Sequence, residues 1–156
     1  MPVLNIFAPD NWIHAILLAT AGKTTVVNGV TVPADAVALV GDRIHPLRDD
    51  IEPTGWPYIV YSRGNALFDR YAEDVMLQQS EYTIRGVQRQ DKVSGDVEDA
   101  NYLLYVAIFA AFDGVNFQTS SGTVHSCEIL APYQRLYGEA GQKVSEMGVV
   151  VRLINS

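Results

Sequence analysis

The sequence predicts an α+β fold, a single domain in which a mostly antiparallel or mixed sheet carries two main helices, with an extra β-hairpin near residues 24–32. Three observations predict it. Runs of β-branched and aromatic residues lie on both sides of one long apolar helix, so the strands do not alternate regularly with helices as in a parallel α/β chain. The 156 residues suit one domain, which at this size buries roughly 68–70% of its unfolded surface without staples. No internal repeat, low-complexity tract or linker divides them.

The elements follow in order. Asp10 precedes "NWIHAILLATA" and is a suitable N-cap; Trp12, Ile13, Ile16 and Leu17 share one helical stripe, and Gly22 is placed to end the helix. "TTVVNGVTV" (24–32) alternates β-branched residues around Asn28-Gly29, the pair suited to a two-residue type I′ turn, which predicts a hairpin projecting from the body. "PADAVALVG" (33–41) reads as a short helical turn closed by Gly41, followed by a brief strand "DRIHPL" and an acidic, proline-bearing loop "RDDIEPT".

"GWPYIVYSRG" (55–64) is the next strand. Proline has no ladder donor and is tolerated at a strand's start, so Pro57 marks where pairing begins. Ile59 and Tyr61 on one face, and Tyr58 and Val60 on the other, predict burial on both: one against the core, the other against a helix or another chain. Residues 64–75, "GNALFDRYAEDV", follow no strong period and read as a connection. Its apolar Leu67, Phe68 and Tyr71 suit either a partner surface or packing within the loop. "MLQQSEYTIRGVQRQ" (76–90) alternates as a long strand with Tyr82 and Ile84 on one face.

"SGDVEDANYLLYVAIFAAFDG" (94–114) is the clearest element. Asp96 or Ser94 can cap it, acidic residues occupy the first turn where the helix dipole favours them, and Gly114 is placed to end it. Val97, Ala100, Leu104, Ala107, Ile108 and Ala111 form a stripe for the sheet. Tyr102, Tyr105, Phe109 and Phe112 fill much of the rest, which predicts a helix buried nearly all round. Two strands close the chain near 123–131 and 142–154, the second carrying Val149, Val151 and Leu153 in alternation.

Chemistry is sparse. "GKT" at 22–24 matches the end of a phosphate loop, but Leu17 stands where the first glycine belongs, and the segment runs from helix to strand, opposite to what the motif's mechanism needs. His14, His45 and His125 lack metal-ligand spacing. His125 and Cys127 sit two apart on a strand without a third ligand. Cys127, the single cysteine, lies in an apolar pattern and reads as a buried small hydrophobe, as in a reducing compartment. The carboxylate groups in "RDD", "AED" and "GDVED" read as solvated faces and helix-dipole partners. No catalytic residue, metal ligand or cofactor site is expected.

Eighteen acidic against eleven basic residues give a formal net charge of −7, without a basic block, which disfavours binding driven by phosphate contacts. The first residues show no basic n-region and no cleavage site, and the apolar run "LLYVAIFAAF" (103–112) is too short to span a bilayer. A cytosolic protein with no membrane association is expected.

Three stretches together resemble the tail-terminator, or tail-completion, proteins of long-tailed bacteriophages. "ADAVALVGDRIHP" (34–46) is similar to that family's short helix and "VGxRIYP"-type strand, and "WPYIVYSR" (56–63) to its "LPYVVYQR"-type strand. "EYTIRGVQRQDKVSGDVEDANYLLYVAIFAAFDG" (81–114) is similar to its strand, acidic helix and terminal Asp-Gly. The likeness covers most of 34–114, and the final strands resemble the family's ending in pattern only. The hairpin at 24–32 departs from the family, whose first helix leads almost directly into the second.

The resemblance implies a structural virion protein without enzymatic activity. Copies of the chain would form a ring, expected to be a hexamer, on the head-proximal end of the tail tube. The ring would end tube polymerisation and offer a surface for head–tail joining. Implied partners are the chain itself, the major tail tube protein and the head–tail connector or stopper; phage DNA would pass through the acidic lumen without specific binding. Candidate contacts, chosen for apolar character in unexpected places, are Leu67, Phe68, Tyr71, Tyr105, Phe109 and Trp56. A neck stopper or adaptor is the nearest alternative; a small enzyme using His125 and Cys127, or a ligand-binding module, are alternatives of another class.

Overall fold

A computed structural model describes residues 4, 6–46, 55–72, 75–113 and 124–156. The order is α1 (Ala8–Leu18), β1 (Thr24–Val27), β2 (Val30–Pro33), α2 (Ala36–Val40), β3 (Ile44–Pro46), β4 (Tyr58–Ala72), β5 (Val75–Arg89), α3 (Val97–Phe112), β6 (Val124–Tyr137) and β7 (Val144–Asn155). Among the described residues, five strands form one sheet in the order β3-β4-β5-β7-β6, and β1 and β2 form a separate hairpin. Of these pairings β3–β4 is parallel, and β4–β5, β5–β7 and β6–β7 are antiparallel. The predicted α+β class with a mixed sheet and a separate hairpin is what the chain adopts.

The helices pack on one face. Ile59 and Tyr61 of β4, Tyr82 and Ile84 of β5, and Val149, Val151 and Leu153 of β7 point at Trp12, Ile13 and Leu17 of α1, Val40 of α2 and Leu104, Ala107, Ile108 and Phe112 of α3. Each buried aliphatic or aromatic group of this kind contributes about 1.5–3 kcal/mol relative to exposure. Asn101 of α3 is buried, and its Nδ2 donates to the Gly86 carbonyl at 3.0 Å and to the Ser145 carbonyl at 2.9 Å, tying the helix to two adjacent strands. Gly148 leaves room for that close strand pairing: a Cβ there would lie 1.8 Å from the Ile84 carbonyl oxygen.

Several expectations are corrected. Asp10 does not cap α1, which begins at Ala8 with Phe7 at the N-cap and Pro9 in its first positions, where the missing N–H costs nothing. Asp10 instead accepts a 2.5 Å hydrogen bond from the Tyr82 hydroxyl, which also accepts from Arg63 Nε at 3.0 Å. Burial, and then Asp10, push the Tyr82 hydroxyl well above its ordinary range, so it stays a donor. The helix ends at Leu18, not at Gly22; Thr20 donates to the Leu17 carbonyl and accepts from the Ala36 amide, locking the end of α1 to the start of α2.

The largest correction concerns 64–75. Residues 64–72 are strand, not connection: β4 continues to Ala72, and β5 begins at Val75. Side chains 63–68 are exposed on both faces, so no burial period exists to be read; backbone pairing with β5 holds the segment. The closing hairpin is also longer than expected, with β6 running to Tyr137. Of the expected helix stops, Gly114 lies outside the described residues, as does the loop at 48–54.

The hairpin reading holds. Asn28 (φ +50°) and Gly29 (φ +79°) form its left-handed turn. Its base is clamped by Asp35, whose carboxylate accepts from the Gly22 amide at 2.7 Å and the Ala38 amide at 2.9 Å. Those bonds hold its carboxyl below the usual range.

Candidate assembly surfaces

The expected contact residues do not converge; they occupy three places. Leu67 and Phe68 sit on the outer half of β4, 64% and 59% exposed. Adjacent strand residues point to opposite faces, so both faces of this arm carry an uncovered apolar group. Tyr71 belongs to the same strand, but its side chain lies outside the described residues.

Tyr105 and Phe109 lie on the flank of α3, half-buried against the core, with ring centroids 6.0 Å apart. Tyr105 stacks on Tyr102 at 5.8 Å. Tyr102 and Leu103 are 45% and 48% exposed, so α3 is not buried nearly all round, as its composition suggested. Phe112, expected on that flank, is fully buried in the core against Trp12. The hairpin faces the flank across a groove of about 230 Å³, with Thr25, Val26 and Val27 opposite Tyr102, Tyr105 and Phe109.

Trp56 belongs to the sheet face away from the helices. Its ring meets Tyr58 edge-on at 5.0 Å, and the Arg89 guanidinium stands 5.0 Å above it. On the same face Glu146, nearly fully buried, accepts from Arg85 Nη1 at 3.3 Å, from Tyr133 at 3.2 Å and, more weakly, from Tyr137 at 3.4 Å. Burial, and then the Glu146 charge, raise the Tyr58 and Tyr137 hydroxyls above their ordinary values, which keeps Tyr137 a donor to that carboxylate. This knot fixes the β6–β7 hairpin to β5. Sequence reading missed it because Arg85, Tyr133 and Glu146 are far apart in the chain and each alone looks like a surface residue.

Val60 and Val87 on this face are buried, as expected for a strand covered on both sides. The second cover includes no helix among the described residues: Tyr58 and Arg85 stand beside the two valines in the ladder, within the Trp56–Glu146 cluster.

Cys127 is buried, and burial pushes its thiol up to about 12, the opposite of an activated nucleophile. His125 Nε2 is 2.8 Å from the Ser156 hydroxyl. Among the described residues no three His, Cys, Asp or Glu side chains converge as metal ligands would, and no helix is long and apolar enough to cross a membrane.

Comparison with models of protein families and with curated proteins finds no match for this chain.

Proposed function

We propose that the protein is a structural assembly component of the tail-terminator kind: copies form a ring that caps a phage tail tube, ends its growth and receives the head. The observation that carries this reading is the placement of exposed apolar groups at separate sites on one small chain. Leu67 and Phe68 lie on the β4 arm, Leu130 and Leu136 on β6 at the opposite edge of the sheet, and Tyr102 and Leu103 on α3. A head-to-tail ring needs two different lateral surfaces, one for each neighbour, and a capping ring needs a further surface for the tube. A ligand-binding module would instead concentrate its apolar surface in one pocket.

The resemblance of residues 34–114 to tail terminators supplies the kind of ring, and the net charge of −7 suits a lumen through which DNA slides without adhering. A neck stopper would use the same surfaces; sedimentation with isolated tail tubes, as opposed to filled heads, separates the two. The direct test is native mass across a concentration series, with negative-stain imaging of the heaviest species. A closed ring of ~six subunits with a central hole is expected. A strict monomer at every concentration, unable to bind tubes, would overturn the reading.

A further inference from the structure

We infer that neighbouring copies join through their sheets: the first half of β6 in one copy, Val124–Ala131, pairs antiparallel with the outer half of β4 in the next, Ser62–Phe68. The inference rests on the ring reading for closure, but not for the pairing itself.

Among the described residues, both edges of the five-stranded sheet are open where this pairing would form. β3 covers the outer side of β4 only at Ile59–Tyr61; beyond it, among the described residues, no strand lies alongside β4. At the other edge, among the described residues, β6 pairs with β7 alone. An exposed edge strand presents unpaired N–H and C=O groups, and folded proteins normally blunt such edges with charge, proline, bulges or brevity. The β4 stretch "SRGNALF" (62–68) has Arg63 as its single charge and no proline, and "VHSCEILA" (124–131) has Glu128 as its single carboxylate, beside His125, and no proline. Each ladder has two register shifts, at Arg63/Ala66 and Arg70/Ala72 and at Val124/Ser126 and Ile129/Ala131, but neither strand is short: β4 spans 15 residues and β6 spans 14.

Three features of the register select a second copy as the partner. Through the successive pairs, Ser62 is level with Thr83, Val150 and Ala131, and Phe68 is level with Gln78, Asn155 and Val124. The open part of β4 and the first half of β6 therefore occupy the same height of the sheet. β6 also runs opposite to β4, so a copy rotated about an axis along the strands brings the two edges together in antiparallel sense. Pro132 follows directly, level with Tyr61, where β3 occupies the outer side of β4. Pairing can therefore run from Val124 to Ala131, and proline, which has no N–H to give, stands where it must stop.

Disulfide trapping tests this. In a Cys127→Ala background, Leu67→Cys is combined with Ser126→Cys, its level partner, or with Glu128→Cys, which allows a stagger of two residues. A disulfide forms only where Cβ atoms come within about 4.5 Å. The expected result is a ladder of covalent multimers in at least one double variant and none in the single variants. A dimer from Ser126→Cys or Glu128→Cys alone would mean that β6 pairs with itself, and overturns the inference. Rings that image normally yet give no ladder overturn it and leave the ring reading intact. A ladder without closed rings supports the edge pairing and removes the ring reading. A protein that stays monomeric without cross-links overturns both.

Discussion

The two halves of β5 differ in what this one chain supplies to them. Tyr82, Ile84 and Val87 in the second half are buried, with α3 packed close enough for Asn101 to bond the strand's own backbone. In the first half the helix-facing positions are Gln78 and Ser80, both buried, with the Gln78 amide and Ser80 hydroxyl lacking hydrogen-bond partners among the described residues. Their ladder partner there, β4, is exposed on both faces at 63–68. One half of the hairpin is thus finished by its own helices, while in the other β5 still pairs with β7 but its β4 partner stands exposed on both faces at 63–68. The difference teaches that strand length here exceeds what the domain needs for its own core, and the excess carries Leu67 and Phe68.

Substitutions in the two halves should separate sharply. Gly148→Ala places a methyl carbon against the Ile84 carbonyl; since backbone must move, a loss beyond about 4 kcal/mol is expected, read as insoluble expression or collapse of the urea midpoint. Asn101→Ala leaves acceptors on two strands without their donor and should cost about 1–3 kcal/mol by urea unfolding with an unchanged slope. Ser80→Ala should do the reverse, raising stability by about 1 kcal/mol, because it deletes a buried hydroxyl that has no partner among the described residues. Gly64→Ala, in the arm, meets only ordinary contacts from 3.6 Å outward and should stay within about 0.5 kcal/mol of the parent in thermal unfolding.

The same contrast explains what was legible in the sequence. Where side chains are buried on one face, the period is visible: Val149, Val151 and Leu153, Leu104, Ala107 and Ile108 of the α3 stripe, and Tyr82 with Ile84 all lie where their spacing placed them. The Asn28-Gly29 turn was equally plain because its chemistry is local. Residues 64–72 were not legible as strand, since the described side chains at 63–68 are exposed on both faces and have no reason to alternate. Asp10 was misassigned because a cap and a tertiary acceptor look alike in sequence; the Tyr82 hydroxyl that claims it is 72 residues away. The Glu146 knot escaped notice for the same reason of distance. Of the candidate contacts whose side chains are described, Leu67 and Phe68 are the most exposed, whereas Trp56, Tyr105 and Phe109 are half taken up by packing within the chain.

Amide hydrogen exchange, followed in dilute and in concentrated protein, tests the central claim that the arm and the opposite sheet edge are completed by another copy. The outward amides of Ser62–Phe68 and Val124–Ala131 should exchange rapidly when dilute and become protected on assembly, while Tyr82–Gln88 stay protected throughout. Assembled protein in which both edges still exchange rapidly would contradict the account.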